Sequence, residues 1–156
     1  MLRKLIIGAL AGAALTLSPV TFAQQGQFGT PEEARAMLDK AIAAVKADQA
    51  VALAKFLKGE SGFRDRDLYP FCFRKRDGKA LASPPAVPAG TDIRTLKDPT
   101  GNVYGQELYA AAQKPEGQIT EVNYMFQRPG ADPKPLPKVS FVTTVGELGC
   151  GVGYYK

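Results

Sequence analysis

The segment QITEVNYMFQRPGADPKPLPKVSFVTTVGELGCGVGYY, residues 118–155, decides the fold of this chain. Its first ten residues alternate between two faces of an extended chain, which predicts a half-buried strand. A proline-rich loop over residues 128–137 separates this strand from a second at 138–145, and a glycine turn leads into a third at 148–155. The segment therefore predicts three consecutive strands of an antiparallel sheet.

Two helices and a strand pair are predicted upstream of this segment. Thr30, Pro31 and Glu33 supply an N-cap hydroxyl, a proline at the first helical position and a glutamate at the third, which is typical of a capped helix start. Apolar residues then recur at helical spacing, and a second helical stretch ends at Gly59. Residues 68–83, with aromatic residues on one side of an Asp-Gly turn, predict a β-hairpin.

The middle of the chain predicts a covering loop and a short helix. Residues 84–101 carry four prolines and cannot form a central strand. Residues 102–114 place their apolar side chains on one side of a helix. Helices grouped at one end of a five-stranded antiparallel sheet predict a single α+β domain.

The N-terminus has the residue order of a secretory signal peptide. Arg3 and Lys4 precede an apolar run of about 13 residues, and a small-residue end follows at Ala23. This run is shorter than the roughly 20 residues that a membrane-spanning helix needs. We therefore expect a signal peptide over residues 1–23 that is cleaved after Ala23, export to the periplasm, and one mature domain over residues 24–156.

Charge and composition argue against several classes of function. The formal net charge of +5 falls to +3 when Arg3 and Lys4 leave with the signal peptide, and acidic residues are interleaved with the basic ones. We therefore expect no nucleic-acid partner. The chain has no histidine, which removes the usual general base and the commonest metal ligand. We expect a binding protein instead of an enzyme, with no metal and no cofactor.

The chain has two cysteines, Cys72 and Cys150. In an exported protein a disulfide between them is one interpretation, because disulfides form and persist outside the cytoplasm. By the chain-entropy argument such a bridge would stabilise the domain by roughly 4 to 5 kcal/mol. Two buried free thiols are the alternative, since sequence alone does not fix the distance between the two residues.

Two predicted strands carry aromatic side chains whose surroundings the sequence leaves open. Tyr69, Phe71 and Phe73 share one face of the first strand, and Tyr124 lies on the strand that begins the C-terminal segment. One interpretation is a hydrophobic core against the long helix. The other is that the phenols of the two tyrosines point into a small pocket as hydrogen-bonding groups.

Three basic residues are candidates for holding a ligand carboxylate, namely Arg74, Arg128 and Lys138, with a solvated surface charge as the alternative for each.

The last predicted strand has a flat face that lets a helix or a ligand approach closely, because its alternate residues are glycines: Gly149, Gly151 and Gly153.

Five pieces of the sequence, taken in order, resemble one known family. They are GTPEEARAMLDKAIAAVKAD, FRDRDLYPFCF with the RDGK turn, LKDPTGNVYGQEL, EVNYMF with its RPG turn, and VGELGCGVGYYK, and they span Gly29 to Lys156. Together they resemble the single Cache domain of type 2, an extracytoplasmic sensor module with a PAS-like fold. The resemblance implies a long N-terminal helix packed on a five-stranded antiparallel sheet. It also implies that the first and last strands are adjacent, which places Cys72 beside Cys150.

The same resemblance implies a function. Such domains bind small organic acids or other small polar molecules in a pocket under a covering loop, here residues 84–101. By analogy the ligand-binding residues are Tyr69, Phe71, Arg74, Tyr124 and Lys138. Because the family is best known in chemoreceptors and histidine kinases and this chain ends at Lys156, we expect a free-standing binding protein. It would act with a membrane receptor, kinase or transporter. The sequence does not decide between a monomer and a homodimer. The alternative is a protein-interaction module of an envelope complex with no small-molecule ligand.

Overall fold

The computed structural model describes residues 26–130 and 132–156. The predicted signal peptide and the mature N-terminus at residue 24 lie outside these residues, so both stay predictions. Along the described chain, two helices are followed by a hairpin, a 3₁₀ turn, a short helix and three strands, which is the order predicted from the sequence. No helix in this part of the chain is both long and apolar enough to cross a membrane.

Two consecutive helices, α1 (Pro31–Ala47) and α2 (Gln49–Lys58), begin the fold. The predicted capping box is present: the Thr30 hydroxyl accepts a hydrogen bond from the Glu33 backbone N–H, and the Glu33 carboxylate accepts one from the Thr30 N–H. Helix α2 ends at Gly59, whose φ of 69° lies in the left-handed region that glycine adopts without strain.

The sheet has five antiparallel strands: β1 (Pro70–Arg74), β2 (Ala80–Ala82), β3 (Thr120–Gln127), β4 (Pro135–Val145) and β5 (Leu148–Tyr155). Their order across the sheet is β2-β1-β5-β4-β3, so the first and last strands are neighbours. Between β2 and β3 the chain forms the 3₁₀ turn Ile93–Thr95 and a short helix, α3 (Tyr104–Ala111). The predicted α+β fold is confirmed.

Strand β4 begins at Pro135, earlier than the predicted start at Lys138, so the proline-rich loop is shorter than predicted. The residues before Lys138 pair with β3 alone, because the pairing of β4 with β5 ends at Lys138. The Pro137 carbonyl accepts a hydrogen bond from the Lys156 N–H, beyond the end of β5. The nitrogen of Pro137 points to the same side as its carbonyl, which is the side on which β5 has ended. Pro135, two residues earlier, points the same way, so the missing N–H groups of both prolines leave no strand hydrogen bond unmade.

The sheet is covered on both faces. Helix α1 packs against β4 and β5, and α2 lies beside it over β1 and β2. Helix α3 and residues 84–101 cover the opposite face, where Ile93 and Leu108 belong to a separate apolar cluster. Helix α3 is therefore not part of the layer that α1 and α2 form. Both faces of the sheet carry apolar side chains, so both need a covering layer.

The two cysteines form a disulfide across β1 and β5. Cys72 and Cys150 are directly opposite each other in the strand register, with a Cα–Cα distance of 4.2 Å. Their side chains lie on the face covered by α1 and α2, in a cluster that includes Val45 and Phe56. The disulfide interpretation is confirmed, and it links the first strand of the chain to the last.

We expect Gly105→Ala to destabilise the fold by about 1–3 kcal/mol, because a Cβ atom there overpacks the contact between α3 and the 3₁₀ turn. That atom would lie 1.7 Å from the Ile93 carbonyl oxygen. Urea unfolding followed by circular dichroism measures the change. Gly26→Ala is the matched control, since its Cβ atom would meet nothing closer than 3.7 Å. Equal stability of the two variants would contradict the prediction.

Candidate ligand-binding site

A cavity of about 40 Å³ lies between the sheet and the layer formed by α3 and residues 84–101. At roughly 10–15 Å³ for each water molecule, this volume holds about three waters or a comparably small organic group. Pro84 and Leu96 of the covering loop and Tyr104 of α3 close the cavity from one side. The loop therefore covers the site, as predicted from its prolines.

Lys138 is the one charged side chain among the residues that line this cavity. It is only 2% exposed, and its Nζ atom donates a 2.8 Å hydrogen bond to the Tyr69 hydroxyl. The same Nζ atom lies 4.4 Å from the ring centroid of Tyr69 and 5.1 Å from that of Phe126. An ammonium group donates up to three hydrogen bonds, so donor capacity remains for a ligand.

The glycine face of β5 makes room for this lysine. In the strand register Lys138 lies opposite Tyr155, and Gly153 lies beside it on the same face. A Cβ atom at Gly153 would lie 2.4 Å from Lys138 Cε and 2.5 Å from Ser140 Oγ. The aromatic residues of β1 approach the same face, because a Cβ atom at Gly151 would meet the Phe71 ring at 2.5 Å. At Gly149 a Cβ atom would meet Ala112, at the end of α3, at 2.4 Å, so the predicted close approach of a helix to the glycine face is confirmed.

Burial lowers the pKa of Lys138 from 10.5 to about 7, because the apolar surroundings disfavour the charged ammonium. The nearby Asp67 carboxylate acts in the opposite direction and favours the charge. Asp67 is itself held by the Gly29 backbone N–H at 2.7 Å and by Arg128 Nε at 3.0 Å. A ligand carboxylate beside Nζ would favour the ammonium further, so the site is suited to taking up an anion together with a proton.

Two of the three phenols that line the cavity, those of Tyr69 and Tyr124, were predicted as hydrogen-bonding groups. The Tyr124 hydroxyl is hydrogen-bonded to Ser140 Oγ at 2.8 Å, and the Tyr124 ring stacks on Tyr104 with a centroid distance of 4.3 Å. Burial raises the pKa of both Tyr69 and Tyr124 above the ordinary value of 10.0. At neutral pH these phenols stay protonated and act as hydrogen-bonding groups instead of bases.

The structure brings four predicted ligand-binding residues together at this cavity: Tyr69, Phe71, Tyr124 and Lys138. It places Arg74 elsewhere. The Arg74 guanidinium is paired with the Asp77 carboxylate in the hairpin turn, with Nη2 and Oδ2 2.8 Å apart. Because side chains alternate along β1, Arg74 points to the side of the sheet opposite Phe73. We therefore leave Arg74 out of the candidate site.

The aromatic face of β1 does not pack against the long helix. Phe73 belongs to the cluster under α3, and Tyr69 reaches the cavity with its hydroxyl group. The reason is the disulfide, which occupies the other face of β1 and lies in the apolar cluster with Val45 of α1. Of the two interpretations of this face, the structure supports the pocket.

Sequence reasoning missed two aromatic residues that line the cavity, Tyr104 and Phe126. Both left a signal in the sequence. Tyr104 lies one helical turn before Leu108 on the apolar side of α3, and Phe126 lies two residues after Tyr124 on the same face of β3. Their contact with Tyr124 depends on how α3 docks onto the sheet, which the local pattern does not contain.

The cavity combines one buried cation and several hydroxyl groups with apolar walls. The polar groups are one buried amine, the phenols of Tyr69, Tyr104 and Tyr124, and the Ser83 hydroxyl, and the remaining walls are largely aliphatic or aromatic. Such a combination orients a small ligand through few polar groups and excludes water around it. In the part of the chain that the structure describes, no group of three His, Cys, Asp or Glu side chains is placed to hold a metal ion.

Comparison with known proteins identifies the family. The family model dCache_2, described as a Cache domain, matches residues 35–155. The chain therefore belongs to the Cache domain family, whose members are sensory ligand-binding modules. No curated protein matches this sequence significantly.

Solved structures of sensor domains have a similar fold. A methyl-accepting chemotaxis protein from Vibrio parahaemolyticus RIMD 2210633 has a TM-score of 0.62 at 20% identity, with 80% of this chain and 86% of that chain covered. The periplasmic sensor domain of a chemotaxis protein has a TM-score of 0.57 at 23% identity, with 80% and 88% covered. A Cache chemosensory domain that recognises carboxylic acids has a TM-score of 0.54 at 25% identity, with 80% and 86% covered.

We expect the ligand-free protein to become more stable as the pH rises from about 7 to about 9. In this window the folded state has largely lost the Lys138 proton, since its pKa is about 7, whereas the unfolded chain keeps it up to 10.5. Stability rises with pH wherever the unfolded state binds more protons. Below about pH 7 both states are protonated, so the contribution of Lys138 no longer changes.

Urea unfolding at several pH values measures this effect, with Lys138→Met as the comparison. The slope of unfolding free energy against pH should be steeper in the unmodified protein by up to about 1.4 kcal/mol per pH unit. Parallel pH profiles for the two proteins would show that Lys138 does not titrate in this range.

Proposed function

We propose that this protein is a periplasmic binding protein of the sensor type, that its ligand is a small organic acid, and that the ligand carboxylate binds at Lys138. One observation supports this most strongly: a buried lysine with spare donor capacity lines an otherwise uncharged cavity. Among the described residues, no carboxylate forms an ion pair with Lys138 Nζ that would offset the cost of burying its charge. An anionic ligand would offset that cost.

In this proposal the ligand-binding residues of the protein have distinct roles. Lys138 Nζ forms a charge-assisted hydrogen bond with the carboxylate. The hydroxyl of Tyr69 orients the amine, and Tyr124 offers a second hydroxyl within the same cavity. Phe71 supplies an apolar wall. The volume of about 40 Å³ favours a carboxylate with a short carbon chain at this position.

We propose binding instead of catalysis because the members of the Cache family are sensory ligand-binding modules. The predicted signal peptide and the disulfide support export to the periplasm, since such bridges persist in oxidising compartments. The carboxylic acids recognised by the similar Cache chemosensory domain support the ligand class. Similarity to chemoreceptor sensor domains supports a membrane receptor, kinase or transporter as partner.

The test is titration calorimetry of the oxidised protein with short carboxylates, with the corresponding alcohols and amines as matched compounds. We expect one or more carboxylates to bind and the uncharged or cationic compounds not to bind. At 100 times its dissociation constant, the ligand should stabilise the fold by about 2.7 kcal/mol, which a thermal-shift assay detects independently. If no carboxylate bound, the proposal would fail and the protein-interaction module would take its place.

A further inference from the structure

A second space, which we call the outer groove, adjoins the cavity. This outer groove has a volume of about 250 Å³ and is lined by Arg64, Pro84–Ala86 and Phe126–Gly130, together with Tyr69. It shares Tyr69, Pro84 and Phe126 with the cavity that holds Lys138. The outer groove is therefore the space next to a ligand group that lies at Lys138.

Two arginines line the outer groove. Arg64 is exposed, and no ion pair to its side chain occurs among the described residues. Arg128 is held in place by Asp67, which accepts from its Nε atom at 3.0 Å, and by the Phe28 ring, whose centroid lies 3.8 Å from Cζ. The pairing with Asp67 uses Nε, so the Nη groups of Arg128 keep donor capacity for a ligand.

Arg128 of the groove and Lys138 of the cavity lie within reach of one small molecule. Arg128 Cζ is 4.9 Å and Lys138 Nζ is 5.0 Å from the centroid of the same ring, that of Tyr155. The two charged groups are therefore separated by no more than the sum of these two distances. This upper limit is compatible with a short aliphatic chain that carries a carboxylate at each end.

The charges of the two spaces also fit a dianion. Arg64, Arg128 and Lys138 are the charged residues that line them, and Asp67 is the carboxylate paired with Arg128. With Lys138 protonated, positive charge exceeds negative charge by two. A monocarboxylate at Lys138 would leave the outer excess uncompensated, whereas a dicarboxylate would neutralise it.

We propose that the outer groove binds the second carboxylate of a short dicarboxylate whose first carboxylate lies at Lys138. The inference rests on the proposed function, because it assigns the class of acid for that site. Arg64 acts as the specificity-determining residue, because it lines the outer groove, is exposed, and has a bidentate guanidinium with no ion pair among the described residues.

The test compares succinate with butyrate, a monocarboxylate of equal chain length, by titration calorimetry. We expect succinate to bind the unmodified protein at least about tenfold more tightly, as one added charge-assisted pair implies. Arg64→Gln should weaken succinate binding about tenfold and change butyrate binding much less. Arg76→Gln is the matched control, because Arg76 is 72% exposed in the hairpin turn and lines neither space.

The outcomes separate the two proposals. Equal affinity for succinate and butyrate, or an equal loss of both in Arg64→Gln, would overturn the dicarboxylate assignment while leaving the carboxylate site at Lys138 intact. Failure of both acids to bind, over a range of chain lengths, would overturn the proposed function together with this inference. A succinate preference that Arg64→Gln removes and Arg76→Gln keeps would support both.

Discussion

Lys138→Met should weaken carboxylate binding by about 100-fold or more while leaving the protein folded. Removing one partner of a buried, hydrogen-bonded charge pair costs about 2–5 kcal/mol, and each 1.4 kcal/mol is a factor of ten in affinity. In the liganded state Lys138 would be such a partner, because it is 2% exposed and is the charged residue of the cavity. Titration calorimetry below pH 7, where the ammonium is populated, measures the loss.

The same variant tests whether the lysine is there for binding or for stability. Methionine has a flexible apolar side chain that fills the space of the lysine stem without a buried charge. The ligand-free variant should therefore be at least as stable as the unmodified protein at neutral pH, because the desolvation of Lys138 is removed. A structural lysine would give the reverse, with lower stability.

Lys58→Met is the matched control for this prediction. Lys58 is at the end of α2, its side chain is 68% exposed, and it lies on the far side of the sheet from the cavity. The Lys58→Met variant should bind carboxylates with the same affinity as the unmodified protein. Unchanged affinity in Lys138→Met, or an equal loss in both variants, would remove Lys138 from the proposed site.

Loss of the Cys72–Cys150 disulfide should lower the free energy of unfolding by about 2–5 kcal/mol, which in a domain of this size corresponds to a fall in melting temperature of roughly 10 °C. The bridge closes a loop of 78 residues and joins β1 to β5 at the centre of the sheet. Its removal gives the unfolded chain more freedom, whereas the strand pairing and the helix layers remain.

Thermal unfolding with and without reductant measures this effect, beside a variant in which both cysteines are alanine. The reduced protein and the double variant should melt at similar temperatures, and both should keep the circular dichroism of the folded state. The double variant should not respond to reductant. Identical melting curves for the oxidised and reduced protein would contradict the prediction.

Much of the fold could be predicted because its signals are local. The capping box at Thr30 and the left-handed glycine at Gly59 set the limits of the helices through contacts a few residues apart. Strand alternation in residues 118–127 identified the inner face of β3, including Tyr124. The start of β4 was predicted too late, because prolines were taken to exclude a strand. Pro135 is tolerated in β4 since β5 has already ended beside it, which depends on strand pairing and not on local sequence preference.

The candidate site was predicted in part for the same reason. Tyr69, Phe71 and Tyr124 were identifiable because alternation decides which residues share a face of a strand. Alternation does not decide what covers that face, so the choice between the long helix and a pocket stayed open. Arg74 and Lys138 could not be told apart as ligand anchors, because each is a basic residue in or beside a predicted strand.

By itself the sequence determined the order of helices and strands, the pairing partner available to each cysteine, and the faces on which aromatic residues and glycines lie. The tertiary structure alone decided which cation is buried. Lys138 enters the cavity because Gly153 on β5 leaves room for its stem, whereas Arg74 meets Asp77 in the hairpin turn. Burial depends on contacts between residues that are distant in the chain, and no local pattern carries that information.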